Sequence, residues 1–249
     1  MTDRTLEELW ETAPRTAERF DPARIAGLPE GARRYLSYAI APGSPLPNAA
    51  RIAMHGTIRL AESWDEFEAE QVIRWDRGFV WRARVKMKGL PVTGFDRWLD
   101  GEGRMRWKLF GLFPVVTADG VEVARSAAGR MNGEACFLPS VLLSKDVTWT
   151  DLGPRDAGPV VRAHGEETHL DFVLDERGAL VACHFPRWGD AATGRFHYET
   201  FGGYVEERRT FAGLTVPTRL RMGWHFGSAR FAERGGEFFR AELDRVEYR

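Results

Sequence analysis

At 249 residues, with a formal net charge of -1 and a pI near 6.6, the chain can bury a large core and carries no overall field that would gather nucleic acid or anionic lipid. Two cysteines, Cys136 and Cys183, offer neither a disulfide framework nor zinc spacing. Residues 1–20 lack the apolar core of a signal peptide, and no stretch reaches the length of a membrane span; a reduced, cytoplasmic setting without a transmembrane segment is expected.

Thr5-Leu-Glu-Glu8 has the form of a capping box, predicting a short helix that Pro14 ends. Leu28-Pro29 opens a second helix, in which Ala32, Tyr35, Leu36, Ala39 and Ile40 make one apolar stripe at helical spacing. The Pro-rich run 41–47 is a connector. Residues 1–47 are therefore expected to pack on a main domain spanning 48–249.

From Arg51 onward the pattern has period two. Ile52, Met54, Gly56, Ile58 and Leu60 share a face. The stretches 66–75 and 78–87 alternate in phase, which predicts a hairpin with an Asp76-Arg77-Gly78 loop. That register sets Glu70 opposite Arg84, Glu68 opposite Lys86, Glu66 opposite Lys88 and Ile73 opposite Trp81, with ion pairs on one face and an apolar set on the other. Met105, Trp107 and Leu109 alternate next, followed by Leu170, Phe172 and Leu174 before the Asp175–Gly178 turn, then Thr218, Leu220, Met222 and Trp224. Roughly ten antiparallel strands follow from this rhythm, a number at which an open sheet curls.

One segment breaks it. Ala124, Ala128, Met131, Ala135 and Leu138 form a narrow helical stripe within 121–143, where Gly129 and Gly133 would allow close backbone approach. The predicted fold is α+β and mostly antiparallel: a strongly curved sheet, or half-barrel, with that helix across its concave face and short N-terminal helices.

Trp64, Gly78-Phe-Val-Trp81, Asp100-Gly-Glu-Gly103, Gly129-Arg-Met131 with Glu134, Leu138-Pro-Ser140, Val147-Thr-Trp149 and Gly213-Leu-Thr-Val-Pro217 together resemble an uncharacterised family of bacterial β-rich proteins, a domain of unknown function. More distantly, Tyr204, Phe211, Gly213 and Pro217 before an alternating strand are similar to a hairpin of the lipoprotein-carrier proteins. That likeness implies a curved sheet around helices with an apolar cavity.

Chemistry is sparse. A two-residue Gly101-Glu102 turn would bring Asp96 and Trp98 to the apolar side with Met105 and Trp107, where a carboxylate needs a partner or a raised pKa. Arg130 and Glu134, at i and i+4 on the helix, supply candidates. The ligand-binding set read from the sequence is Asp96, Trp98, Trp107, Arg130, Met131 and Glu134. His164, Glu166 and His169 invite a metal reading, but Gly165-Glu-Glu167 reads as a turn, so no metal site is assigned. Cys183 and His184 point to opposite faces. No nucleophile elbow or phosphate-cradling loop is present, and no cofactor is implied. Binding of a small apolar or amphipathic molecule between sheet and helix is the leading expectation. Two alternatives stand beside it: an enzyme using Asp96 or Glu134 as acid or base, and a structural or partner-binding module with a filled core.

Overall fold

A computed structural model describes residues 4–60, 62–191, 194–233 and 235–249. The chain opens with α1 (Arg4–Glu11), a 3-10 turn (Pro22–Ile25) and α2 (Glu30–Ala39). Strands β1 (Ala49–Ile58), β2 (Asp65–Arg74), β3 (Gly78–Met87), β4 (Leu90–Leu99), β5 (Glu102–Leu109) and β6 (Phe113–Asp119) precede α3 (Val121–Gly133). Then follow β7 (Val147–Asp151), β8 (Asp156–Ala163), β9 (Glu166–His169), β10 (Asp171–Leu174), β11 (Leu180–Gly189), β12 (His197–Phe211), β13 (Leu214–Trp224) and β14 (Glu237–Tyr248). All belong to one antiparallel sheet in the order β6-β5-β4-β3-β2-β1-β14-β13-β12-β11-β10-β8-β7, with β9 paired to β8. Among the described residues, the fourteen strands exceed the expected ten because short strands such as β7 and β9 carry too few residues to show a period.

The sheet must curl. In the sheet order β5 and β11 lie eight strands apart, about 38 Å if flat. Yet α3, about 20 Å long by its thirteen residues, packs against both. Met131, Ala135 and Leu138 are fully buried there, as the stripe predicts, although the α-helix stops at Gly133 and 134–143 continues as two 3-10 turns. At Gly133 a Cβ would sit 2.6 Å from the Phe185 ring, so this glycine lets the backbone meet β11. The concave side also holds α2, whose predicted stripe is buried and whose Tyr35 meets Phe172 edge to face at 5.0 Å. By contrast, α1 lies on the convex face: Leu6, Leu9 and Trp10 cover Ala49, Val72 and Val80. Thr5 falls inside α1 and does not cap it.

Both predicted hairpin registers are displaced by two residues. Arg74 pairs with Gly78, so the loop is Trp75-Asp76-Arg77, Glu68 faces Arg84, Glu70 faces Arg82, and Ile73 faces Phe79. Gly78 is the first strand residue, where a Cβ would lie 1.9 Å from the Trp98 carbonyl oxygen on β4. Likewise Leu99 pairs with Glu102 around an Asp100-Gly101 turn, with φ of 50° and 93°. Asp tolerates the left-handed region that Glu at the second turn position would have had to adopt. A shift of two preserves every residue's face.

Candidate functional site

Because faces survive, Asp96 does point inward. It sits in a row with Gln71, Trp81 and Met105 across β2 to β5. Its Oδ1 accepts from Trp107 Nε1 at 2.9 Å, and Arg130 Nη1 lies 3.4 Å from Oδ2. Arg130 Nε donates to Glu134 at 2.7 Å, and Gln71 Nε2 closes the ring onto the other Glu134 oxygen. The guanidinium lies 4.6 Å from the Phe79 ring centre and 5.4 Å from that of Trp81. Burial raises the Asp96 carboxyl above its ordinary range, against the opposing pull of Arg130 and the Trp107 indole. Asp96 and Arg130 nevertheless keep 20% and 21% of their side-chain surface accessible.

Four of the six residues read from the sequence therefore meet: Asp96, Trp107, Arg130 and Glu134. Met131 is buried beside them on α3. Trp98 points inward too, but against the ring of His164 at 4.8 Å, away from the cluster.

Arg187 on β11 was missed. Its guanidinium lies 4.7 Å from the Phe201 ring centre and 5.3 Å from that of Trp224, and its hydrogen bonds are two long ones, both 3.4 Å, to the Ser126 carbonyl of α3. Burial, then the nearby Arg130, pushes it down to about 9, still charged at neutral pH. Among the described residues no carboxylate comes within ion-pair distance of it. The inward phase of β11, with Cys183 and Phe185, was a signal that placed Arg187 inside. Gln71 and Trp81 were also passed over as polar groups; the Trp81 indole N–H is buried with no acceptor among the described residues.

Beyond α3, toward the β3–β4 and β5–β6 turns, the inner face is lined by Phe67, Trp81, Trp107 and Phe239, whose rings meet stacked, tilted or edge to face at 5.1 to 6.2 Å. Phe201, Met222, Trp224 and Phe239 are only half-buried there. A separate groove of about 1240 Å³ lies mainly on the outer face of β2 to β6, among Arg82, Arg84, Phe95, Arg104 and Arg106.

The metal reading fails on placement. His164 and Gly165 form the β8–β9 turn, so Glu166 begins β9 and is not a turn residue. Glu166 binds Arg125, His169 binds Glu167, and His164 is wedged between Trp75 and Trp98. No cluster of three potential ligands occurs among the described residues. Burial holds His164 down at about 4, hence neutral.

A comparison with curated proteins gives no match. Among solved structures the chain is similar to a LolA superfamily protein from Nitrosomonas europaea, with a TM-score of 0.44, 11% identity, and coverage of 88% of this chain and 92% of that one. It is also similar to a chain from Vibrio parahaemolyticus described as an outer membrane lipoprotein-sorting protein domain (TM-score 0.40, 10% identity, 81% and 86% covered). A DUF1329 family protein from Desulfovibrio piger gives a TM-score of 0.35 at 10% identity, with 81% and 86% covered. Residues 18–233 match the family of unknown function DUF6544, so the resemblance carried by the Trp64 to Pro217 motifs holds and the chain belongs to that family.

Proposed function

We propose that the protein holds a small amphipathic molecule with an anionic head, its apolar part along the half-buried aromatic surface of the inner face and its head at Arg187, with Arg130 nearby. The observation that carries this reading is Arg187, a buried cation with no carboxylate within ion-pair distance among the described residues, set against the Phe201 and Trp224 rings. A buried charge is costly unless compensated, and an anionic head would supply the compensation. Arg130 differs in that Asp96 and Glu134 contact it directly, whereas the same two carboxylates act on Arg187 only from beyond ion-pair distance. The buried Trp81 N–H offers a donor to a head-group oxygen in the same region.

The test uses cis-parinarate, a fluorescent fatty acid, and the corresponding neutral alcohol. Arg187→Met should weaken parinarate binding by roughly ten- to hundredfold, the range for a charged hydrogen bond, while leaving the alcohol's affinity unchanged. Circular dichroism checks that the variant is folded. Absence of parinarate binding by the wild type, or equal affinity in a folded variant, overturns the reading.

A further inference from the structure

Two neighbouring turns at one end of the half-barrel break the rule that large apolar side chains are buried. In the β5–β6 turn Leu112, Phe113 and Phe110 are 72%, 63% and 54% exposed, and Leu90 in the adjoining β3–β4 turn is 46% exposed. The turns are joined: Val92 pairs with Leu109, and the Phe110 N–H donates to the Pro91 carbonyl at 2.9 Å. Their backbones are tight, with Lys88, Gly89, Phe110 and Gly111 all at positive φ, so the apolar side chains are presented at little further ordering cost. An exposed apolar cluster of this kind marks an interaction surface.

Its flanks identify the partner. Lys86, Lys88 and Lys108, three of the chain's four lysines, are exposed around the cluster. Lys86 pairs with Glu66, but neither Lys88 nor Lys108 has a carboxylate within ion-pair distance among the described residues. The net charge of -1 conceals this local separation of charge. We propose that the β3–β4 and β5–β6 turns form a docking tip for an anionic lipid bilayer, with the four apolar side chains entering the interface and the lysines meeting the head groups. A second copy of the chain fits less well, because its lysines would face these. Strand addition at the edge β6 is also opposed, by Pro114 and by the register shift between Trp107 and Lys108. The tip lies at the same end of β3 to β5 as the part of the inner face that α3 leaves uncovered, so docking would turn that surface toward the bilayer. This inference goes beyond the proposed amphipath site and is tested separately from it.

The experiment is sedimentation of the whole protein with vesicles of equimolar phosphatidylcholine and phosphatidylglycerol, and with phosphatidylcholine vesicles alone. Wild type should co-sediment with the anionic vesicles, more weakly with neutral ones, and less as salt is raised. Leu112→Ser with Phe113→Ser should abolish sedimentation. Lys88→Gln with Lys108→Gln should weaken it by roughly thirtyfold. Both tip variants should bind parinarate in vesicle-free solution like wild type, and Arg187→Met should sediment like wild type, so the two sites fail independently. Wild-type protein left in the supernatant, or sedimentation unchanged in the folded Leu112/Phe113 variant, overturns the proposal. So does a stable dimer that this variant converts to monomer, since the tip would then be covered by a second copy.

Discussion

Ion pairs lie on both sides of the sheet around the β2–β3 hairpin, and the two sets do different things. On the convex face Lys86 and Glu66 meet at 2.9 Å with most of each side chain in water. On the concave face, Glu134 from the 3-10 turn after α3 receives both Gln71 of β2 and Arg130 of α3, and Arg130 also reaches Asp96. The distances are alike; the surroundings are not. Water screens the outer pair and solvates either partner left alone, whereas the inner charges depend on one another. The inner cluster thus ties helix to sheet, while the outer pair adds little to a register that the inward and outward phases already set.

Arg130→Met attacks this contrast most strongly. It leaves Asp96 and Glu134 without their cation and should cost about 3 to 5 kcal/mol in denaturant unfolding. Adding Asp96→Leu should recover part of the loss, and Glu134→Gln more, because each removes a carboxylate that Arg130 had answered. If Arg130→Met costs no more than a surface substitution, the distinction between the faces collapses.

A pH series sharpens it next. Since burial raises Asp96, its protonated form favours the folded state; that contribution is complete below the ordinary Asp range and is lost as pH rises through the raised value. Asp96→Asn should accordingly match or exceed the wild-type Tm at pH 7, and its advantage should shrink as the solution is acidified. A variant whose relative Tm falls as pH rises would show that Arg130 outweighs burial at this carboxylate.

Lys86→Met gives the smallest effect, no more than an ordinary surface substitution, and less at high salt. A larger loss by thermal denaturation would mean that the outer pair helps to hold the hairpin register.

The site was partly legible because side-chain direction in a strand has a period of two, so a register error of two residues left Asp96 and Trp107 facing inward. Helical spacing likewise joined Arg130 to Glu134. Arg187 was harder to see: its phase with Cys183 and Phe185 turns it inward, but no local pattern says that no carboxylate will meet it there. Val72 and Val80 show the same limit in reverse: their phase is outward, and only the docking of α1 buries them.

What the sequence by itself determined is local and periodic: the faces of the strands, the buried stripes of α2 and α3, and the antiparallel neighbours joined by short turns. Gly78, Asp100 and Gly101 lay in the sequence, but their roles depend on strands that approach from elsewhere or on competing turn conformations. Tertiary structure alone brought β5 within reach of the same helix as β11, buried Arg187 against Phe201 and Trp224, and left Leu112 and Phe113 in solvent. These outcomes depend on how far the sheet curls, which is the summed twist and packing of all fourteen strands and is encoded in no single segment.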